Sequence, residues 1–277
     1  MENKIPRPKN IKLKNGIISY REYGEGYPII CIPPWMTTSI IYYPLSKLLD
    51  KKLKLICIDL PSWGERSKLF NKEVNIDSYI SLTREFIKKL DLPSFSLLGY
   101  SYGGVIAQGL IAEEDIKPDK LILISTLNGG LQTFGLNRYK ILLNGANKMK
   151  GLITNERVLK QLYIFTTKMH IAFSYPKRED NLKFIETIIE DIGNISIIDG
   201  LEAVNSLYGR TFLTSRLKKT STLLIRGEDE RTYIKKGMHD ISKYLGIKTE
   251  VIPNVNHHHL VFKPEESKLL LDKFLES

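Results

Sequence analysis

Seven short runs of apolar and β-branched residues punctuate the chain: GIISYREY from Gly16, YPIICIP from Tyr27, LKLICIDL from Leu53, FSLLGY from Phe95, KLILIST from Lys120, STLLIRG from Ser221 and TEVIPN from Thr249. Such runs of four to six apolar or β-branched residues, bounded by Gly, Pro, Asn or Asp, predict strands. Between most of them the apolar positions recur three and four apart, as in SIIYYPLSKLLDKK, NIDSYISLTREFIKKLDL, YGGVIAQGLIAEED and RTYIKKGMHDISKYLG, which predicts helices. A last helix is predicted over KPEESKLLLDKFLES, where Pro264 suits a first helical turn. Alternation of this kind predicts an α/β protein: a mostly parallel, doubly wound sheet with helices on both faces, entered by a hairpin at the amino end.

One stretch breaks the alternation. From about Leu127 to Leu217 the patterns are helical without intervening strands, as in NERVLKQLYIFTTKMHIAF, NLKFIETIIEDI and SIIDGLEAVNSLYG. A helical segment that long cannot be a simple crossover between core strands, so it is expected to sit over the sheet as a helical cap. The division is a core of residues 1–127 and 216–277 and a cap of residues 128–215. Tyr163, Phe165, Phe173 and Tyr175 would give the cap an apolar, aromatic underside, although residues at such spacing also serve as plain core.

Composition narrows the function classes. With 277 residues, 42% hydrophobic and 26% charged, the chain is long and apolar enough for a sizeable core. The formal net charge of +10 would suit a nucleic-acid partner, yet the lysines fall in short pieces interleaved with acids, which describes a solvated surface. No nucleic-acid partner is expected. No run approaches the ~18 apolar residues of a membrane span, and MENKIPRPKN lacks the apolar core of a signal peptide. A cytoplasmic protein without membrane insertion is expected. Cys31 and Cys57 sit within strand patterns, where a reduced thiol acts as a small hydrophobe.

The chemistry-bearing stretch is LLGYSYGGV, residues 97–105. Ser101 falls where a predicted strand meets a predicted helix, at the carboxyl edge where doubly wound sheets bind ligands. Gly99 and Gly103 flank it at two residues' distance, removing the side chains that would clash in a sharp strand-to-helix turn. The following helix would aim amide N–H groups at the serine oxygen. A serine there can also serve only as a helix cap. YGEGYP, with Gly24 and Gly26, lies between two strands of a predicted hairpin rather than between strand and helix, so it is no dinucleotide site. Of the five histidines, His170 and His239 lie in helical patterns, while His257, His258 and His259 follow the last predicted strand. Neighbouring side chains in an extended loop diverge, which argues against a metal tract.

Together these parts resemble the α/β-hydrolase fold superfamily, in its capped esterase-like and C–C hydrolase-like branch, over nearly the whole chain. LLGYSYGGVIA is similar to the nucleophile elbow, YPIICIPPWMTTS to the oxyanion strand and loop, STLLIRGEDE to the strand bearing the acid, and IPNVNHHHLVFKPEE to the histidine loop and last helix. ICIDLPSWGERS resembles the D-x-x-G-x-G-x-S loop, with Ser62 for the first glycine and the last serine displaced to Ser67. The resemblance implies a nucleophile at Ser101, a general base at His257 by its register between Ile252 and Pro264, and an acid three residues beyond Gly227, at Glu230, with Asp229 the alternative and Glu228 a turn residue. It implies oxyanion N–H donors at Trp35 and Tyr102, with Met36 possible in place of Trp35. Pro33 and Pro34 stand where relatives carry His-Gly. If backbone amides are the donors, side-chain changes at Trp35 and Tyr102 should alter substrate choice more than chemistry. The activity implied is hydrolysis of a small carboxylic ester or thioester with an apolar acyl or aromatic part, through an acyl-serine, with no cofactor and no metal. C–C cleavage, a lyase or acyl-transfer reaction on the same triad, and a non-catalytic binding protein remain open at this point.

Overall fold

The structure, a computed structural model, describes residues 5–64, 66–70, 73–129, 158, 161, 163–165, 184, 186–190 and 195–277. Nine strands form one sheet: β1 (Lys9–Lys12), β2 (Gly16–Gly24), β3 (Tyr27–Ile32), β4 (Leu53–Asp59), β5 (Lys68–Leu69), β6 (Ser96–Tyr100), β7 (Lys120–Ile124), β8 (Thr222–Gly227) and β9 (Thr249–Ile252). Their spatial order is β1-β2-β4-β3-β6-β7-β8-β9, with β5 against β2. From β4 to β9 all neighbours are parallel, while β1 and β2 run antiparallel. The central strands are buried on both faces, β6 along its whole length, which is why their sequences are continuous apolar runs rather than alternating ones.

All seven expected strands form. β1 and β5 were not evident, being short and polar, KNIK and KL, at the margin of the sheet. The entering hairpin exists, but it joins β1 to β2. The expected pairing across YGEGYP does not form, because β4 lies between β2 and β3. Gly24 (φ +74°) and Gly26 (φ +104°) show why: a Cβ on either would stand 2.5 Å from Leu53 O or 2.4 Å from Lys52 O. The two glycines let this loop press against the start of β4.

Eight helices are named here among the described residues: α1 (Tyr43–Ser46), α2 (Ile76–Leu90), α3 (Tyr102–Ala112), α4 (Ile197–Asn205), α5 (Ser215–Lys219), α6 (Thr232–Leu245), α7 (His259–Phe262) and α8 (Pro264–Glu276). α2 packs with α3, α3 with α5 and α5 with α6, whereas α1, α7 and α8 pack together, so that both faces of the sheet are covered. α3 is buried from Tyr102 to Ile111 and correspondingly apolar all round. The expected helix over residues 39–52 is short: a 3-10 turn at Ser39–Tyr42 leads into α1, which runs out in i→i+3 bonds from Leu48 N to Leu45 O and Leu49 N to Ser46 O. α2 starts on Asn75, whose side chain accepts from Ser78 N (2.9 Å), and ends on Asp91 in the left-handed region (φ +48°).

Because β3, β6, β7, β8 and β9 are parallel, their carboxyl ends share one edge of the sheet. That edge carries the turn after Ile32, the turn at Ser101, Ser125 and Thr126, the Gly227–Glu230 loop and the histidine loop. Between β7 and β8 lie α4 and α5 among the described residues, together with an isolated antiparallel bridge from Ile195 to Trp63.

Candidate active site

Ser101 is the hinge between β6 and α3, with φ +53° and ψ −114°, a backbone state strained for any residue with a side chain. It is held there by its amide on Ile124 O (2.8 Å) and by two donors on its carbonyl, Gly104 N (2.9 Å) and Thr126 Oγ1 (2.6 Å). The three glycines around it are required by contact. A Cβ at Gly99 would lie 2.6 Å from Gly103 O, one at Gly103 would lie 2.2 Å from Ile32 O, and one at Gly104 would lie 2.3 Å from Thr126 Oγ1. The elbow is thus wedged between the end of β3 and the residues after β7, with Ser101 still half-buried at the surface of the turn.

At the neighbouring strand ends, the Glu230 carboxylate meets His257 Nδ1 through both oxygens, each at 3.1 Å. Burial pushes the Glu230 carboxyl up, but the His257 ring beside it and its hydrogen bond, with the Ser125 hydroxyl and His259 nearby, bring it below the ordinary carboxylate range. An ionised carboxylate only accepts, so Nδ1 carries a proton, and in the neutral ring Nε2 presents a lone pair. The Ser125 hydroxyl adds to this by proximity; its geometry falls short of a formed hydrogen bond. Ser125, wholly buried at the end of β7, is itself held at φ +44°.

The acid rivals separate clearly. Asp229 is exposed and its amide ties to Val255 O (3.0 Å). Glu228 is exposed and accepts from Asn254 N (3.0 Å), a turn role. The histidine loop closes on Gly227, where a Cβ would stand 2.3 Å from Val255 O and 2.4 Å from Asn256 O. Tyr100, next to the elbow serine, donates its hydroxyl to His257 O and lays its ring 5.4 Å from the His257 ring. The other histidines have different surroundings. His259 is buried, its Nδ1 2.9 Å from Ser267 Oγ, and burial lowers its pKa to about 3. Since the Ser267 hydroxyl donates to Lys263 O (3.0 Å), His259 Nδ1 is the donor in that pair. The His258 ring stacks edge-on against His257, 5.6 Å between centroids. His239 is exposed on α6, and His170 lies outside the described residues.

The oxyanion candidates lie after β3 and at the start of α3. Thr37 N closes a turn on Pro34 O (3.3 Å), with Met36 at φ +53° in its third position, where a type II turn favours glycine. Trp35 occupies the second position, so Pro33 and Pro34 precede the candidate amide without replacing it. Its indole Nε1–H donates to Gly200 O (2.8 Å). Tyr102, the first residue of α3, has no intrahelical acceptor for its amide. Its hydroxyl donates to Ala203 O (3.0 Å), and its ring sits 5.2 Å from Trp63 and 6.0 Å from Tyr79. Burial raises the Tyr102 phenol, which therefore stays a donor.

The loop after β4 supports this wall. Ser62, in the first glycine place of the resembled motif, keeps a glycine-like φ of +66°, and Gly64 follows at +108°. Displaced Ser67 anchors the loop by accepting from Ser19 N (2.8 Å) and donating to Asp59 O (2.7 Å). Asp59 accepts from Ser39 N (2.7 Å) with Arg21 and Arg66 each at 3.8 Å; burial nonetheless raises its pKa.

Ser125 and Thr126, in STLNGG, carry no carboxylate or nucleophile pattern in the sequence. Two hydroxyls following a buried strand end were the signal. The tie between α4 and the oxyanion candidates had no local signal. Tyr163 and Phe165 are described, Tyr163 half-buried with its ring 6.3 Å from Trp35 and Phe165 exposed; Phe173 and Tyr175 lie outside the described residues.

A mostly parallel sheet whose carboxyl edge gathers a strained serine and a histidine–carboxylate pair defines the class, and comparison bears it out: the alpha/beta hydrolase fold family matches residues 27–264. The chain belongs to that family. It is similar to the pimeloyl-[acyl-carrier protein] methyl ester esterase of Pseudoalteromonas atlantica, 28% identical over 107 residues, 38% of this chain and 40% of that one. The chain spans less than half the length of the first curated relatives it matches. In structure it resembles a bromoperoxidase from Bacillus anthracis (TM-score 0.79, 18% identity, covering 98% of this chain and 100% of that one). It also resembles an esterase from Exiguobacterium antarcticum (TM-score 0.78, 16% identity, covering 98% and 100%). At these identities the structural likeness defines the fold. Among the described residues no helix is long and apolar enough to cross a membrane, and no group of three or more His, Cys, Asp or Glu could hold a metal ion.

Proposed function

We propose that the protein is a serine hydrolase that cleaves a small carboxylic ester or thioester with an apolar acyl or aromatic part, acting through an acyl-serine on Ser101, His257 and Glu230. The observation that carries this reading is the ionised Glu230 carboxylate on His257 Nδ1, at the same sheet edge as the strained serine turn. With Nδ1–H committed to Glu230, Nε2 is the base that takes the Ser101 proton as Oγ bonds to the carbonyl carbon. The carbonyl π electrons move to oxygen, and the Trp35 and Tyr102 amides stabilise that charge. Collapse breaks the bond to the alcohol or thiol, which leaves with the proton from His257. Water then adds to the acyl-serine, giving its proton to Nε2, and the acid leaves as Ser101 Oγ regains a proton.

Residues 128–215 act in this reading as the lid that supplies the acyl pocket. The contact of Tyr163 with Trp35 and the position of α4 support it. The methyl ester esterase activity of the named relative supports an ester substrate. Steady-state hydrolysis of p-nitrophenyl esters of increasing acyl length tests the reading: turnover should depend on chain length and vanish in Ser101→Ala. Equal turnover in that variant would sink it.

A further inference from the structure

The two residues whose amides face the oxyanion in the proposed mechanism are tied by their side chains to one helix. Trp35 Nε1–H donates to Gly200 O (2.8 Å) and the Tyr102 hydroxyl donates to Ala203 O (3.0 Å). Gly200 and Ala203 are three apart on α4 and so share a face. Between them Met36, wholly buried in the strained turn, meets Gly200 so closely that a Cβ there would lie 2.7 Å from its Sδ. α4 is itself fixed at both ends. Ser196 N donates to Ser62 O (2.9 Å) ahead of its first turn, and beyond its last turn Ser206 Oγ donates to Ala203 O (2.6 Å) and accepts from Ile76 N (2.8 Å). The Tyr102 hydroxyl therefore connects through Ala203 and Ser206 to the start of α2.

We infer that α4 is part of the oxyanion wall: through Gly200 O and Ala203 O it positions Trp35 and Tyr102, and so sets where their amides point. The inference rests on the acyl-serine reading above. It changes the expected role of the two side chains, since both polar atoms are spent on α4 carbonyls rather than offered to a substrate. Trp35 lies three residues beyond the end of β3, and its turn carries a methionine where glycine is favoured. An outside tether is what fixes such a turn. The amides matter only as charge develops on the carbonyl oxygen, so loosening them acts on the transition state and leaves ground-state binding alone. Trp35 and Tyr102 side chains are thus positioning groups for the donors their own backbones carry, and α4 is the element they act through.

Tyr102→Phe and Trp35→Phe keep an aromatic ring and remove the tether. Each should lower kcat roughly tenfold with KM within about twofold, because a misplacement well under 1 Å suffices for such a loss. Binding of a trifluoromethyl ketone, which mimics the tetrahedral adduct, should weaken by the same factor as kcat/KM. Wild-type protein is treated in parallel with a fluorophosphonate. If Ser101 of the wild type takes the label and both variants keep wild-type kcat, or change KM alone, the α4 tether is overturned and the acyl-serine reading stands. If the wild type neither takes the label nor turns over an ester, the acyl-serine reading falls and the tether's role falls with it.

Discussion

At the ends of β8 and β9 the paired His257 and Glu230 are 27 positions apart in the chain, whereas at the end of β3 the indole of Trp35 reaches a carbonyl 165 positions away. The two halves of the site are built by different means. The charged half is assembled by close backbone approach: Gly227 admits the histidine loop, Glu228 ties that loop back through Asn254 N, and Tyr100 holds His257 O. The atoms proposed to act there are side-chain atoms, and short spacings within one loop pair decide where they fall. The amide half is assembled by reach. The donors proposed for it belong to the backbone, so side chains are free to serve as struts, and the helix they lean on comes from the segment between β7 and β8. A family fold can therefore keep the first half by keeping a few spacings, while the second half must be kept by tertiary packing.

Removing chemistry from the charged half should give the largest effects. Ser101→Ala and His257→Ala should each lower kcat by on the order of 10⁵–10⁶, as for members of other triads, with the fold intact by circular dichroism. Glu230→Gln should cost about 10⁴ in kcat, because the imidazole is then free to take the wrong tautomer. Asp229→Asn, at an exposed position, should stay within about threefold; the reverse ranking would move the acid and break the contrast drawn between these loops. Smaller effects compare a glycine from each half. Gly227→Ala should displace the histidine loop from backbone contacts of 2.3 and 2.4 Å and lower kcat by about 10²-fold, with no single compensating change available. Gly200→Ala meets a methionine side chain instead, so its loss should be smaller and largely recovered in Gly200→Ala with Met36→Ala. Failure of that rescue would show that α4 and the turn are not joined through Met36.

The last expected effect is on stability rather than on turnover. Burial lowers the His259 pKa to about 3 in the folded protein, so the folded state stays neutral where the unfolded chain, with its ordinary value near 6.5, takes up a proton. Stability from this residue is complete above about pH 6.5 and is lost as pH falls, by about 1.4 kcal/mol per pH unit. His259→Gln removes that slope. Urea unfolding between about pH 7 and pH 5 should show the stability of wild type falling relative to that of the variant; parallel pH profiles would place the wild-type imidazole in a protonatable setting.

Much of the charged half could be read from the sequence because its signals are local. Gly99, Ser101 and Gly103 are spaced by a steric need, while Glu230 and His257 are the positions the family resemblance implies, and the structure brings those two side chains to 3.1 Å. The central strands were legible for the same reason: a continuous apolar run such as LLGY or LILI is its own evidence. β1 and β5 were not, because a short polar strand at a sheet margin is recognisable only by its partner. The expected β2–β3 pairing does not form because Gly24 and Gly26 make room for β4 between the two strands. Trp35 and Tyr102 were picked out by position, but their indole and phenol partners lie on α4, and no local pattern near residue 35 or 102 points to residues 200 and 203.

The most direct test of the central claim is intact-mass and peptide mass spectrometry after a fluorophosphonate is added to the folded protein. The account predicts a single adduct, on the peptide carrying Ser101, formed quickly in wild type, slowly in Glu230→Gln and not at all in Ser101→Ala. An adduct that persists in Ser101→Ala, or a folded wild-type protein that takes none, would contradict it.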